Sequence, residues 1–168
     1  MTGMSTALTK IGWDLTVLVA KSFENEVELF KKLSMSKNLS GLIISRTLRN
    51  DERFKILTDL KIPFVAHGRS INCSSSSWLD VDNERAFYDM TKHFVSLGHK
   101  KIAHICGPNI YNFSIQRIEG WKKAHFESGI QIKNDFLQVA DLSFDGGKIA
   151  MDKLLKLKDL PTAVSCVS

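Results

Sequence analysis

Short apolar runs that alternate with amphipathic helical segments constrain the fold of this 168-residue chain more than any other feature. Residues 41–45 (GLIIS) and 101–106 (KIAHIC) have the length of strands and are largely apolar on both faces. Strands of this kind are typical of parallel sheets that helices cover on both sides. Because parallel strands are joined by helical crossovers, the pattern predicts an α/β fold with parallel sheets flanked by helices.

The same alternation extends along the whole chain. Strands are predicted at residues 13–19, 41–45, 63–67, 78–81, 101–106, 136–140 and 161–167. Helices are predicted at residues 3–11, 24–37, 50–60, 83–97, 113–128 and 145–157. No strand precedes the first helix and no helix follows the last strand, so the sequence predicts an architecture that is incomplete at both ends.

Composition argues against a nucleic-acid surface, a membrane span and a metal site. The net charge is +5, but the basic residues are scattered in pairs along predicted helices, which is typical of solvated helix faces. No apolar run approaches the roughly 18 residues that a membrane span needs. The three cysteines are far apart, which fits a reducing, cytoplasmic setting. Cys106 and Cys166 are expected in core strands, and Cys73 is expected as an exposed thiol in the loop at 70–77.

Motifs of common enzyme classes are absent from the sequence. It contains no G-x-S-x-G, H-E-x-x-H or Walker A pattern. Gly146-Gly147 lacks the G-x-G-x-x-G spacing of dinucleotide sites. The sequence therefore predicts a protein that is not an enzyme and that needs no cofactor or metal. An α/β enzyme such as a small hydrolase is kept as a third alternative that no motif supports.

Residues 78–121 are the most informative stretch, because they read as strand, helix, strand, loop and helix in succession. Ligands of open α/β sheets bind at strand ends and helix starts, which places this stretch at a candidate site. Asp82 stands at the start of the predicted helix 83–97. We expect it to cap that helix rather than to bind a ligand, because its carboxylate can accept from unpaired N–H groups.

Several segments together resemble a known family. They are GWDL (12–15), SGLIISRT (40–47), IPFVAHGR (62–69), DVDNERAFYDMTKHFVSLGHKKIAHICGP (80–108), QRIEGWKKAHFESGI (116–130) and LPTAVSC (160–166). In order and spacing the chain resembles the effector-binding core of lactose-repressor-type (LacI-type) bacterial transcription regulators, which shares the type I fold of periplasmic sugar-binding proteins.

The resemblance implies two lobes, both incomplete. Residues 1–97 would form the N-terminal lobe without its first strand, and residues 98–168 would form the first half of the C-terminal lobe. The helix-turn-helix DNA-binding domain of the family has no counterpart in this sequence.

The resemblance also implies a ligand cleft between the lobes. From the second lobe, the arginine of an R-x-x-G-[FWY] helix start is expected to point into the cleft, and Arg117 matches it. The alternative is a surface arginine. Phe113 stands at a pocket position, where it could stack on a sugar or act as a hydrophobic staple on its own helix. Gln116 is the third candidate from this helix.

Four further candidates follow strands of the first lobe. Ser45 and Arg46 end the strand at 41–45 and are expected either to face the cleft or to lie in a solvated loop. His67 ends the strand at 63–67, where it could contact the ligand or serve the structure. Arg69, two residues later, is expected either to anchor the loop or to bind the ligand.

The function that the resemblance implies is effector binding in a cytoplasmic regulator, with a sugar or polyol as the effector. Lobe closure on the ligand would change operator binding, which would occur only through the missing helix-turn-helix. A homodimer is implied, and exposed apolar edges are expected to favour association. The alternative is a periplasmic sugar-binding module of a transport system.

Overall fold

The computed structural model describes residues 2–36, 39–73 and 76–167 of the chain. Its helices are α1 (Thr2–Thr9), α2 (Phe23–Ser34), α3 (Arg53–Asp59), α4 (Asn83–Ser96), α5 (Asn112–Glu127) and α6 (Phe144–Leu154). Its strands are β1 (Leu42–Ser45), β2 (Phe64–His67), β3 (Ser77–Leu79), β4 (Ile102–Cys106), β5 (Leu137–Val139) and β6 (Ala163–Cys166). The predicted helix end at Lys37 and part of the predicted serine loop, Ser74 and Ser75, lie outside the described residues.

The strands form two parallel sheets, as predicted. In the first sheet the order is β1-β2-β3, and in the second it is β5-β4-β6. Every pairing is parallel, with Leu42 opposite Phe64 in the first sheet and Ile102 opposite Ala163 in the second. The α/β fold class is confirmed.

Each sheet has its own hydrophobic core. The first core contains Phe30, Ile44, Phe54, Leu57 and Ala66, which come from β1, β2 and the two helices α2 and α3. The second core contains Ile102, Ile105, Trp121, Phe136 and Leu154. All five positions of β4 are buried, which explains why its sequence is apolar without alternation. Two separate cores of this kind give the chain two halves.

Helix α4 packs with the second half. Phe94 and Val95 lie against the second core, and the ring of Phe87 is 5.1 Å from the ring of His104 in β4. The predicted boundary between residues 97 and 98 would separate α4 from the sheet that it covers. We therefore propose that the boundary lies at residues 80–82, between β3 and α4.

The predicted strand at residues 13–19 is wrong. Residues 13–20 belong to no helix or strand, and Trp13, Val17 and Val19 are 50%, 56% and 86% exposed. A strand requires a neighbour that pairs with its backbone, and no described strand pairs with this segment. Its β-type composition is therefore not sufficient to make it a strand.

The expectation for the cysteines is also wrong for two of the three. Cys73 is buried and belongs to the first core, whereas Cys166 is exposed. Cys166 lies on β6, which pairs only with β4 in the described sheet, so one edge of this strand carries no neighbour. Cys106 is buried in β4 as expected, and burial raises the pKa of its thiol.

Side chains cap the starts of α4 and α6. Asp82 caps α4, with its Oδ1 accepting from the N–H of Arg85 at 3.0 Å. Ser143 caps α6 in the same way, accepting from Gly146 N at 2.9 Å. These caps fix where the connections between strands and helices end. None of the helices in the described ranges has the length and apolar content that crossing a membrane requires.

Candidate functional site

A cleft of about 330 Å³ lies where the two halves meet. The first half contributes Ser45, Arg46 and His67 at the carboxyl ends of β1 and β2, with Asp80 just after β3. The second half contributes Phe113 and Arg117 from the first turns of α5, together with Leu142 and Val167. The cleft is thus polar on the first-sheet side and partly apolar on the other. This is the arrangement in which α/β sheets bind small molecules.

Arg117 lies in this cleft and is held on several sides. Its Nε donates to Asn83 Oδ1 at 2.8 Å, and its Nη1 donates to the carbonyl of Val167. Its guanidinium carbon is 5.2 Å from the ring centre of Phe87 and 5.1 Å from that of Phe113. Burial lowers its pKa from the usual value, but a guanidinium keeps its charge at any ordinary pH. The cleft therefore contains a fixed cation with oriented donors.

Phe113 forms an aromatic pair on the same side. Its ring stacks on that of Tyr111, with centres 5.4 Å apart and planes 14° apart. The guanidinium of Arg117 also lies over the ring of Phe113, and both side chains line the cleft. This geometry favours the pocket position over the alternative of a staple on its own helix.

Ser45 and Arg46 are positioned by a buried arginine, Arg53, that no motif in the sequence indicates. Arg53 Nη2 donates to the carbonyls of Ser45 and Arg46, each at 3.2 Å. Arg53 is in turn paired with the fully buried Asp51 at 2.7 Å and with Glu26 at 3.1 Å. Arg46 itself has φ +53, a left-handed conformation that costs a non-glycine residue energy. The bonds of Arg53 offset that cost and fix the end of β1.

A tight turn after β2 brings His67 to the cleft. Gly68 has φ +120, and a Cβ there would overlap Thr47 Oγ1, so only glycine fits. Thr47 Oγ1 instead donates to the carbonyl of Arg69 at 3.0 Å, which ties this turn to the end of β1. His67 is exposed at the cleft wall and can offer a ring nitrogen to a ligand.

The two halves are joined beside the cleft by backbone pairing. Leu48 forms an antiparallel bridge with Tyr111, and Arg49 N donates to Ile110 O at 2.9 Å. The buried side chain of Asn112 donates to the carbonyl of Arg69, also at 2.9 Å. These bonds hold the start of α5, which carries Phe113 and Arg117, against the strand ends of the first sheet.

Two predicted site residues lie outside the cleft. Arg69 and Gln116 line a second, polar groove of about 480 Å³, with Arg85, Tyr88 and Glu127 among its other residues. Arg69 is tied to Asp80 by bonds of 3.1 and 3.3 Å and lies over the ring of Trp78. The loop-anchoring alternative therefore describes Arg69 better than ligand binding does.

A buried histidine in β4 packs against the rings of Phe87 and Trp121. His104 bonds to Ser165 through Nδ1, and burial lowers the pKa of its imidazole to about 4. Its Nε2 is one of two buried side-chain polar atoms in the described ranges that lack a hydrogen-bond partner. The nearby His125 is buried too, and its pKa is lowered for the same reason.

We expect stability to fall as pH drops from about 6.5 to about 4. In this window the unfolded chain binds a proton at residue 104 that the folded chain excludes, so the free energy of unfolding decreases by roughly 3 kcal/mol. Urea unfolding at pH 7 and pH 4.5 measures the change. His104→Gln should reduce this slope to the part that the buried His125 contributes, whereas the exposed control His93→Gln should leave it unchanged. An unchanged slope in His104→Gln would show that His104 titrates normally.

The fold and the cleft define the class of this protein. Over residues 1–168 the chain matches the family described as periplasmic binding proteins and sugar binding domain of LacI family, and it belongs to that family. It is 37% identical over 153 residues to the HTH-type transcriptional regulator AglR of Rhizobium meliloti, covering 90% of this chain and 43% of AglR. It is 30% identical over 148 residues to the HTH-type transcriptional regulator RafR of Escherichia coli, covering 88% and 44%. The chain spans less than half the length of these two curated relatives, which are transcriptional regulators rather than enzymes.

Solved structures share the same architecture. A putative transcriptional regulator from Yersinia pestis superposes with a TM-score of 0.85 at 29% identity, over 98% of this chain and 59% of that one. The complex of the transcriptional regulator CelR with cellobiose superposes with a TM-score of 0.88 at 24% identity, over 99% and 51%. The periplasmic-binding-protein-like fold expected from the sequence is confirmed.

Proposed function

We propose that this chain is the effector-binding section of a LacI-type bacterial transcription regulator and that its cleft binds a sugar or related polyol. The observation that carries the proposal is the cleft itself, where strand ends of one half face Arg117 of the other. Membership in a family that includes sugar-binding domains supports a sugar. The cellobiose bound to CelR is an example from a protein of the same fold.

The residues of the cleft suit a hydroxyl-rich ligand. The Arg117 guanidinium presents planar donors that match vicinal hydroxyls, and the ring of Phe113 offers an apolar face. Ser45, Arg46 and His67 would bind the same ligand from the opposite half. A ligand that contacts both halves stabilises the arrangement in which they are close, which is how binding would shift the conformation.

In the longer protein, this shift would act on DNA binding. A coupling free energy of about 1–3 kcal/mol between effector and DNA sites is typical of such linkage. Operator DNA would be bound through a helix-turn-helix segment and the protein would act as a cytoplasmic homodimer. The alternative of a periplasmic transport module is less well supported, because AglR and RafR are described as HTH-type regulators.

Arg117→Ala should weaken sugar binding by this chain. A hydrogen-bonded charged group contributes about 1.5–3 kcal/mol, so affinity should fall at least about tenfold. The measurement is a thermal-shift screen against glucose, galactose, sucrose, maltose, melibiose and cellobiose, followed by calorimetry with each sugar that raises the Tm.

Arg85→Ala is the matched control, since Arg85 is an exposed arginine that pairs with Asp89 outside the cleft. It should bind as the unmutated chain does. Equal affinity of Arg117→Ala and the unmutated chain would contradict the site, and a screen without any binder would contradict effector binding by this chain.

A further inference from the structure

We infer that Asn83 is a positioning residue that holds the guanidinium of Arg117 in its binding orientation and links it to the connection between the halves. The expected effect on sugar binding rests on the proposed function, but the hydrogen bonds that hold Arg117 are present in the chain without a ligand. Asn83 is 1% exposed, although it is the first residue of α4 and asparagine is usually exposed.

Every polar atom of the Asn83 side chain is used. Its Oδ1 accepts from Arg117 Nε at 2.8 Å. Its Nδ2 donates to Asp80 Oδ1 and to the carbonyl of Val81, each at 3.0 Å, and lies 3.4 Å from Gln116 Oε1. A buried amide with this many partners has one orientation, because rotation would leave buried polar atoms unpaired.

The partners of Asn83 belong to the boundary segment at 80–82 and to the second half. Asp80 and Val81 follow β3, whereas Arg117 lies on α5. A change in the path of the 80–82 connection would therefore move the acceptor on which Arg117 depends. The orientation of Arg117 therefore depends, through Asn83, on the path of the connection between the halves.

An amide also leaves the charge of Arg117 available. Ion pairs in the described ranges involve Arg53, Arg69 and Arg85, but none involves Arg117. Its described hydrogen-bond acceptors, Asn83 Oδ1 and the Val167 carbonyl, are neutral. With Nε and one N–H of Nη1 held in this way, both N–H groups of Nη2 and the second N–H of Nη1 are left for a ligand. A carboxylate at position 83 would instead pair with the guanidinium and face the carboxylate of Asp80.

The test observes the Arg117 Nε–H by NMR, without any ligand. Arg117→Lys assigns the signal by removing it. In the unmutated chain its hydrogen exchange should be at least about tenfold slower than that of the exposed Arg46, because it is donated to a buried acceptor. Asn83→Ala should remove this protection. Asn83→Asp, which keeps an acceptor oxygen, should retain most of it and provides a second variant if the alanine variant does not fold.

Asn112→Ala is the matched control. Asn112 is also a buried asparagine beside the cleft, but it bonds to the carbonyl of Arg69 and not to Arg117. It should leave the Arg117 signal protected even if it lowers stability by as much as Asn83→Ala. Loss of protection in both variants would mean that general loosening, not positioning, explains the effect, and would overturn the inference.

The inference and the proposed function can fail separately. Fast exchange of the Arg117 Nε–H in the unmutated chain would overturn the positioning role, whatever the chain binds. If a sugar of the screen binds, Asn83→Ala should weaken it at least about tenfold, while in the Arg117→Ala background the same substitution should have little further effect. Additive losses would show that Asn83 acts independently of Arg117.

Discussion

Gly120→Ala should destabilise the chain by about 3 kcal/mol or more. Alanine normally stabilises a helix relative to glycine by about 1 kcal/mol, so the expected sign is opposite to that of helix propensity. The reason is the contact between α4 and α5. A Cβ at Gly120 would overlap the carbonyl oxygen of Glu84 and would lie 2.9 Å from Tyr88 N. Because both obstacles are backbone atoms, the helices must move apart.

Urea unfolding followed by circular dichroism measures this effect. Gly147→Ala is the matched control, since Gly147 is also inside a helix but a Cβ there meets no atom within 4 Å. That variant should be as stable as the unmutated chain or up to about 1 kcal/mol more stable. Equal stability of the two variants would contradict the close packing of α4 on α5.

Asp51→Asn should cost about 3–5 kcal/mol, because it leaves the buried cation of Arg53 without its main counter-charge. Asp51 is fully buried, and its two oxygens accept from Arg53 Nε at 2.9 Å and Nη2 at 2.7 Å. Asp51 Oδ2 also accepts from Leu48 N at 3.0 Å. The variant should therefore loosen the end of β1 as well as lower stability.

Asp59→Asn is the control for this prediction. Asp59 also pairs with a basic residue, Lys55, but both side chains are exposed, so the pair contributes at most about 0.5 kcal/mol. Urea unfolding of both variants gives the comparison. A cost below about 1 kcal/mol for Asp51→Asn would mean that the Arg53 cation is solvated rather than buried.

The sequence was sufficient to predict the parallel sheets, but it did not show which strands find a neighbour at the edges of those sheets. Strands such as β4 can be recognised from sequence, because a strand that is buried on both faces must be apolar throughout. The run at 13–19 has a similar composition but no strand to pair with in the described ranges, and composition does not report on pairing. The packing of α4 on the second core could not be read from the sequence for a related reason, since its apolar face could cover either sheet.

The sequence indicates which candidate residues line the cleft where a strand or helix end determines their direction. Arg117 and Gln116 are neighbours on α5, but successive helical residues point about 100° apart, so only Arg117 faces the cleft. Arg69 comes after the turn at Gly68, which sends its side chain to the other groove. Asn83 and Arg53 could not be recognised from sequence, because their importance comes from partners as distant along the chain as Arg117 and Glu26.

The most direct test of the account is an NMR titration of this chain with the sugar of the screen that raises its Tm most. Backbone amide shifts should change at Ser45 and Arg46, at His67, and at Phe113 through Arg117, with smaller changes along the connection at 80–82. Changes confined to the outer groove around Tyr88 and Glu127, or equal changes in the Arg117→Ala variant, would contradict a binding site between the two halves.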